Sequence, residues 1–302
     1  MPPSPLPTET PNPASAGMDS LSALDFARLM NRLDAAVPLA VAEALTQIAQ
    51  AIETIADCLA GGGRLFYQGA GTSGRLGVLD ATELVPTFGW PPERAVALMA
   101  GGDVAITRSV EDVEDSAAQG RADLAGHNFG AGDVLVGIAA SGGTPYVLGG
   151  LAYARQVGAP TIALVCNPNS RVAAAADIAI EIVTGPEILT GSTRLKAGTA
   201  QKMVLNMLST GAMVRLGKVY GNLMVDVQPT NAKLRDRATR IVDQITGVGR
   251  AEAEALLDAA GWRVKTAVVM GLAGVDAAEA QRRLDAAGGH VRRALQGVGD
   301  GQ

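Results

Sequence analysis

The sequence predicts an α/β protein, a doubly wound αβα sandwich around a five-stranded parallel sheet. Five short aliphatic runs are bounded by Gly, Pro, Asn or Asp, and most are separated by segments long enough for a helix. Apolar strands that alternate with helices are typical of a parallel sheet covered on both faces. The predicted strands are residues 64–68, 95–100, 134–140, 161–166 and 178–183.

The composition indicates a folded protein of about two domains and disfavours several classes of function. Charged residues make up 18% of the 302 residues, and the net charge is −5. Nucleic-acid binding needs a cationic surface, which this composition does not supply. With two cysteines, Cys58 and Cys166, and two histidines, His127 and His290, the chain has too few ligands for a Cys/His zinc site. We therefore expect no metal and a reduced, cytoplasmic setting.

The N-terminal part of the sequence predicts a tail followed by helices. Residues 1–18 are rich in proline and have no basic or apolar signal region, so we expect a disordered tail. Asp19 or Ser20 can cap a first helix, and Pro38 can open a second helix over residues 39–59. Residues 19–60 are thus predicted to form N-terminal helices.

Two later segments complete the predicted organisation. Residues 61–240 hold the α/β domain, and the pentapeptide LDAAG at residues 257–261 recurs at 284–288. This repeat predicts a small C-terminal helical module over residues 241–302, built from two helix–Gly–helix units. The nearly apolar helix predicted at residues 196–216 exceeds what one small sheet covers, so we expect a homo-oligomer, specifically a dimer.

The longest uncharged stretch, residues 134–154, is long enough to cross a bilayer. Its centre is Ser-Gly-Gly-Thr-Pro, which would leave backbone groups of a spanning helix unpaired in lipid. We therefore expect a strand, a turn and a helix here, and no membrane partner.

A glycine-rich turn follows the first predicted strand and contains Gly71, Thr72 and Ser73. The turn matches G-x-G-x-x-G between a strand and a helix, so a dinucleotide site is one interpretation. That site needs an acid about 20 residues further on, at the end of the second strand. Asp103 comes late for this role, and Glu83 is placed inside a helix.

A second turn with Ser141, Gly142 and Thr144 follows the third predicted strand. Ligands of open α/β sheets bind at the carboxyl ends of the strands, where both turns are expected. Backbone N–H groups, hydroxyls and helix dipoles from two turns suit a terminal phosphate better than a bridging pyrophosphate. We therefore favour a phosphomonoester site, and the chain has no G-x-x-x-x-G-K-[ST] loop.

Several stretches resemble one known family. GAGTSGR and SGGTP resemble the sugar-isomerase (SIS) domain, a flavodoxin-like fold. The stretches LGVLDATELVPTFG, SVEDVEDS, GPEILTGSTRLKAGTAQKMVLNMLSTGAMV and DVQPTNAKL resemble the N-acetylmuramic acid 6-phosphate etherases. The glucokinase regulatory protein shares much of this pattern. The resemblance extends from about residue 19 to the C-terminus, where it implies a UBA-like module, and Gly143 departs from it because a larger residue is expected there.

The resemblance implies a lyase that cleaves the D-lactyl ether of N-acetylmuramic acid 6-phosphate without a metal or a cofactor. It implies that Glu83 is the acid that protonates departing lactate and that Glu114 is the base that takes the proton and later helps to deliver water. The acidic run itself is typical of a solvated helix face, and Glu111 lies on the same face as Glu114. The assignment between these two glutamates therefore depends on the resemblance.

Other polar residues are candidates for the substrate site. Four polar residues follow the fifth strand, and they are expected either to complete the site or to cap the next helix: Ser192, Thr193, Arg194 and Lys196. Asn231 and Lys233 are candidates for a lid that reaches a neighbouring site, and His127 is interpreted as a turn residue. A sugar-phosphate isomerase and a non-catalytic sugar-phosphate regulator remain alternative functions. The residues expected to bind substrate are Gly71, Thr72, Ser73, Ser141, Gly142, Thr144, Ser192, Thr193 and Lys233.

Overall fold

The computed structural model describes residues 6–296, and they divide into two compact units. The first unit contains the described residues up to Thr82 together with Pro92–Ser209. The second contains Glu83–Pro91 and the described residues from Thr210 onward. The sequence places the last boundary at residue 241, whereas the structure divides the chain near residue 210.

The first unit is built on a five-stranded parallel sheet with the order β2-β1-β3-β4-β5, which confirms the predicted fold class. The side chains of β1, β3 and β4 are buried throughout, as expected for aliphatic strands covered on both faces. The strands are β1 Leu65–Gly69, β2 Ala95–Met99, β3 Val134–Ala139, β4 Thr161–Val165 and β5 Ile178–Glu181.

Nine helices begin in the first unit, and two of them, α4 and α9, continue into the second. They are α1 Ala23–Asp34, α2 Val37–Ala42, α3 Leu45–Ala60, α4 Gly71–Phe88, α5 Gly102–Thr107, α6 Ala117–Gly126, α7 Pro145–Gln156, α8 Arg171–Ala174 and α9 Lys196–Arg215. The single helix predicted at residues 39–59 is two helices, α2 and α3, because the chain turns at residues 43–44. The predicted helix at 196–216 corresponds to α9.

The structure corrects the expectation of a disordered tail for residues 6–18, while residues 1–5 lie outside the described residues. Three 3-10 turns occupy this segment, at Pro7–Glu9, Pro13–Ser15 and Met18–Ser20. Proline fixes φ near the value that such turns need, so the prolines favour this local order. Thr8 is fully buried and its side chain bonds to Asn167, which anchors the segment to the first unit.

The second unit is helical, with a short antiparallel hairpin of β6 Val219–Tyr220 and β7 Leu223–Met224. Its helices are α10 Ala232–Thr246, α11 Arg250–Ala259, α12 Val264–Ala273, α13 Ala277–Ala286 and α14 Val291–Gln296. The repeated glycines, Gly261 and Gly288, adopt φ of +62° and +61° between paired helices. Ile241 of α10 shares one core with Leu257 and Val264, which is why α10 belongs to this unit.

One feature of the described helices bears on membranes. No single helix within residues 6–296 is long and apolar enough to cross a bilayer, and one bent pair, Ala23–Ala42 with Leu45–Ala60, meets the criterion by length and composition.

A buried carboxyl group links α4 to β1 and α9 within the first unit. The Tyr67 hydroxyl donates to Asp80 Oδ2 at 2.7 Å, and the Ser209 hydroxyl donates to Asp80 Oδ1 at 3.1 Å. Burial raises the pKa of Asp80 to about 6, although both hydrogen bonds favour the charged form. The folded state therefore binds this proton more tightly than the unfolded chain, whose aspartates titrate near pH ~3.9.

We predict that Asp80→Asn removes a pH-dependent loss of stability. In the wild type, the contribution of Asp80 to the free energy of unfolding is fully present below about pH 4 and is lost as the pH rises through about 6. The loss amounts to at most about 3 kcal/mol. The difference in stability between wild type and variant should change over this range in urea denaturation at pH 4 to 7. Asp57→Asn, at an exposed position, is the control, and equal pH profiles for wild type and Asp80→Asn would contradict the assignment.

Candidate functional site

The first glycine-rich turn leads from β1 directly into α4. Gly71 has φ of +54°, and a Cβ built on Gly74 would lie 2.7 Å from the Gly69 carbonyl oxygen, so the turn needs glycine at both positions. The first N–H groups of a helix have no intrahelical partner, and the helix dipole favours an anion there. The backbone of Gly71, Thr72 and Ser73 is therefore placed to bind a phosphate.

The hydroxyl of Ser73, predicted from the sequence to bind substrate, has a hydrogen-bond partner within the protein. Ser73 is buried, and its Oγ donates to Gln201 Oε1 of α9 at 2.9 Å. Its side chain thus joins α4 to α9, and its contribution to an anion site is its backbone N–H group.

The second turn leads from β3 into α7. Gly142 has φ of +72° and lies against Ser170, since a Cβ at this position would come within 2.2 Å of Ser170 Cβ. The Gly142 carbonyl accepts a bond from Val172 N at 2.9 Å, which holds the turn. Thr144 stands at the N-cap of α7 without a side-chain capping bond, so its hydroxyl is not used to close the helix.

Ser141 and Gly143 complete this turn. Ser141 Oγ accepts from the Gly143 N–H at 3.2 Å. A Cβ built on Gly143 would have one neighbour within 4 Å, Ser141 Oγ at 3.9 Å, so a side chain has room here. This open space is where the sequence departs from its resemblance to the etherases.

The sheet topology brings the two turns together at one edge. β1 and β3 are neighbours, and Gly69 is paired with Ile138 at their carboxyl ends. The first turn of α9 lies close to both. Ala197 packs with Ala140 and Cys166, and a Cβ built on Gly198 would lie 3.6 Å from Thr72 Cγ2.

Ser192 and Thr193 lie in the turn that precedes α9, and both are half-buried. The Thr193 carbonyl accepts from the Gly198 N–H at 2.9 Å, which ties this turn to the first residues of α9. The structure therefore places Ser192 and Thr193 in the turn that leads into α9, while Arg194 is exposed, and their contact with substrate remains a prediction.

The residue that caps α9 is Glu187, which sequence reasoning missed. Its fully buried carboxylate accepts from the N–H groups of Lys196 and Ala197, both at 3.0 Å. Lys196 is also buried; its ammonium donates to the Thr184 carbonyl at 2.6 Å, and burial lowers its pKa. Ser192 therefore does not act as the side-chain cap, and Lys196 has a structural partner.

A cavity of about 400 Å³ lies beside the first turn in the first unit. Its lining includes Ala70, Gly71, Arg75, Glu111 and Glu114. The structure thus brings an anion-binding turn and two candidate bases to one cavity. Glu111 and Glu114 are both exposed, so their positions do not decide which of the two is the base.

Arg75, for which the sequence suggested no role, fixes the wall of this cavity. Its guanidinium donates to the carbonyl oxygens of Ala105, Ile106 and Arg108 at 2.8, 3.0 and 3.0 Å. These bonds hold the segment that leads to the acidic run, and they leave the positive charge beside the cavity.

Glu83 is exposed on α4, 12 positions after Gly71, which corresponds to about 18 Å along the helix axis. The residues that line the 400 Å³ cavity do not include it. In the second unit, Asn231 is the N-cap of α10, where its Oδ1 accepts from Leu234 N at 2.9 Å, and Lys233 is exposed. The roles assigned to Glu83 and Lys233 therefore remain predictions.

Two further expectations concern histidine and dinucleotides. His127 lies at the end of α6, where its carbonyl accepts from Arg64, as expected for a turn residue. Strand β2 ends at Met99 and Asp103 lies inside α5, so no acid stands at the strand end where a ribose would be bound. Among residues 6–296, no group of three or more His, Cys, Asp or Glu side chains could hold a metal ion.

Two family models match stretches of the sequence. The SIS-domain model matches residues 113–211, and the model of the glucokinase regulatory protein N-terminal SIS domain matches residues 47–155. The chain is therefore an SIS-domain protein, the class that its parallel sheet and its two glycine- and hydroxyl-rich turns indicate.

Curated relatives define the family within that class. A Serratia proteamaculans protein named N-acetylmuramic acid 6-phosphate etherase is 57% identical over 265 residues, which cover 88% of this chain and 89% of the relative. The Vibrio cholerae N-acetylmuramic acid 6-phosphate etherase 1 is 56% identical over 265 residues, with 88% of each chain covered. This chain belongs to the N-acetylmuramic acid 6-phosphate etherase family.

We predict that Gly142→Ala weakens the binding of a hexose 6-phosphate by about tenfold or more, while Gly143→Ala changes it little. At Gly142 a Cβ would force Ser170 away and strain a backbone with positive φ, at a cost on the order of 1–3 kcal/mol. At Gly143 the added methyl group has room. Isothermal titration calorimetry compares the two variants, and equal affinities would show that the second turn does not bind the phosphate.

Proposed function

We propose that this chain cleaves the D-lactyl ether bond of N-acetylmuramic acid 6-phosphate and gives N-acetylglucosamine 6-phosphate and D-lactate. The identity of 56–57% to relatives with the etherase name, over nearly nine-tenths of both chains, supports this substrate. The observation that carries the proposal is the cavity in which the turn at Gly71 and the carboxylate of Glu114 share one lining.

The phosphate is assigned to the helix starts at the carboxyl edge of the sheet. The N–H groups of Gly71, Thr72 and Ser73 and the turn at Ser141–Thr144 supply donors, and hydroxyls of Thr72, Ser141, Thr144, Ser192 and Thr193 add to them. A phosphomonoester presents three terminal oxygens, which such a ring of donors accommodates. The phosphate then orients the sugar with respect to the carboxylates.

The chemistry follows from the open-chain form of the sugar. Glu114 takes the proton from C2, which is acidified by the aldehyde at C1, and the C3–O bond of the ether breaks as the C2–C3 double bond forms. Glu83 donates its proton to the departing lactate oxygen. Water then adds: its hydroxide joins C3, its proton returns to Glu83, and Glu114, whose proton has exchanged with solvent, protonates C2. The net result is hydrolysis of the ether.

This route needs one carboxylate as a base and one carboxyl group as an acid, and both roles reverse in the second half of the cycle. An isomerase would move a proton at C2 with one carboxylate, and a regulator would need neither group. The presence of both Glu83 and Glu114 therefore favours catalysis of elimination over the alternative functions.

The active form in this proposal is a homodimer in which the second copy supplies Glu83. A phosphate bound at the start of α4 lies about 18 Å along the axis from Glu83 of the same helix. The N-terminal segment and helices α1–α3 expose large apolar side chains that a second copy would cover. They are Leu21, Leu24, Phe26, Leu39 and Leu45. Cys58 and Cys166 are free thiols, which fits the cytoplasmic location that we propose.

We predict that the purified protein releases D-lactate from N-acetylmuramic acid 6-phosphate, and that Glu114→Gln and Glu83→Gln each reduce kcat by about 10²–10⁴-fold. Glu111→Gln, on the same cavity lining, is the matched control and should keep kcat within a few fold. A coupled D-lactate assay measures the rate, and reaction in D₂O should place deuterium at C2. If Glu111→Gln were the inactive variant, the base would be Glu111.

Subunit mixing tests the shared site. Glu83→Ala and Glu114→Ala protomers should each be inactive alone, and random pairing of the two should restore about a quarter of wild-type activity, because half of the dimers contain one intact site out of two. Light scattering should give twice the chain mass of 30.7 kDa. A mixture that forms mixed dimers and stays inactive would show that one copy supplies both glutamates.

A further inference from the structure

The N-terminal strap, defined as residues 6–15, is fixed to the loops at the carboxyl edge of the sheet in the first unit. Thr8 is completely buried although it is polar and close to the chain terminus. A buried hydroxyl costs free energy unless it is hydrogen-bonded, so its partners indicate why this position is retained inside the unit.

Thr8 and Asn167 form a pair of buried polar side chains. Asn167 Nδ2 donates to Thr8 Oγ1 at 3.0 Å, and the Thr8 N–H and hydroxyl both approach Asn167 Oδ1 at 3.4 Å. Asn167 is also completely buried and lies just after β4. The hydroxyl of Thr8 thus satisfies an amide group that solvent does not reach.

Asn167 also forms a hydrogen bond to the residue that precedes the second turn. Its Nδ2 also donates to the Ala140 carbonyl at 3.0 Å, and Ala140 immediately precedes Ser141. The same carbonyl accepts from the Cys166 N–H at 3.0 Å. The Thr8–Asn167 pair is therefore bonded to the residue that leads into the Ser141–Thr144 turn.

The backbone of the strap also contacts the turn before α9. The Thr8 carbonyl accepts from Gly191 N at 3.2 Å, and Gly191 immediately precedes Ser192. Gly191 has φ of +75°, and a Cβ there would lie 3.0 Å from Glu9 Oε2. Asn12 Nδ2 donates to the Pro186 carbonyl at 3.2 Å, so a second residue of the strap is bonded to the same loop.

We propose that Thr8 is a positioning residue of the sugar-phosphate site, which holds the Ser141–Thr144 turn through Asn167 and the Ser192–Thr193 turn through its carbonyl. This inference rests on the proposed function for the identity of the ligand, and on the contacts above for the role of the strap. Thr8 contacts neither the cavity lining nor a catalytic glutamate, so its effect is on substrate binding through two loops.

The test compares Thr8→Val with Thr8→Ser and Thr10→Val. Valine keeps the shape of threonine and removes the hydroxyl that Asn167 contacts, while serine keeps it. Thr10 lies on the same strap, and its hydroxyl donates at 3.2 Å to the nearby Leu6 carbonyl on an exposed surface. Loss of one buried hydrogen bond corresponds to about a tenfold effect on an equilibrium.

We expect Thr8→Val to raise KM for N-acetylmuramic acid 6-phosphate about tenfold and to leave kcat within about twofold, because the lost interaction is uniform binding of the phosphate. Thr8→Ser and Thr10→Val should have wild-type KM. A decrease in kcat with unchanged KM, or equal effects of Thr8→Val and Thr10→Val, would overturn the proposal.

A second measurement separates this inference from the proposed function and does not depend on a substituted protein folding. Hydrogen exchange of the wild type, with and without N-acetylglucosamine 6-phosphate, should show slower exchange at Gly191 and Gly143 and in the strap when the ligand is bound. If the wild type releases no D-lactate but shows this protection, the proposed function fails and the positioning role stands. Protection at Gly143 without any in the strap would overturn the positioning role.

Discussion

The close approach of neighbouring chain segments to two glycines at the carboxyl edge of the sheet is the constraint on which the site depends. Gly69 and Gly74 touch across the first turn, and Gly142 lies against Ser170 at the second. Neither approach leaves space for a Cβ, and Gly142 also requires a positive φ. Because β1 and β3 are neighbours, the two turns that begin α4 and α7 lie at the same edge of the sheet. A phosphate that binds there fixes the position of everything else in the substrate.

The buried and the exposed carboxyl groups of the first unit have separate tasks. Asp80 is held by Tyr67 and Ser209 between α4, β1 and α9, where burial raises its pKa. Glu114 lies on an exposed turn beside the cavity, and Arg75 holds the segment before it. The buried carboxyl group therefore joins the secondary-structure elements, while Glu114, to which we assign proton exchange with the substrate, remains at the surface.

Local patterns were sufficient to predict the strands, the two turns and α9, because aliphatic runs, glycines and hydroxyls act on their immediate neighbours in the chain. Contacts between distant residues were not predictable in this way. Thr8 and Asn167 form a hydrogen bond although they are 159 positions apart in the sequence. No periodicity in the sequence indicates that one threonine anchors a proline-rich segment. Glu187 precedes the helix that it caps by nine residues, beyond the range of a capping motif. The unit boundary near residue 210 depends on the packing of α10, which periodicity does not specify.

Three of the helices that begin near this edge of the sheet, α4, α7 and α9, differ in what caps their first N–H groups. The start of α9 is occupied by the buried carboxylate of Glu187, which satisfies the N–H groups of Lys196 and Ala197. Thr144 leaves the start of α7 without a side-chain cap, and α4 begins at a glycine turn. A carboxylate of the protein itself thus caps one helix, and the starts of the other two are the ones to which we assign the ligand phosphate. The phosphate site that we propose therefore lies on the side of the sheet edge where Gly71 and Glu114 share a cavity lining, away from the capped start of α9.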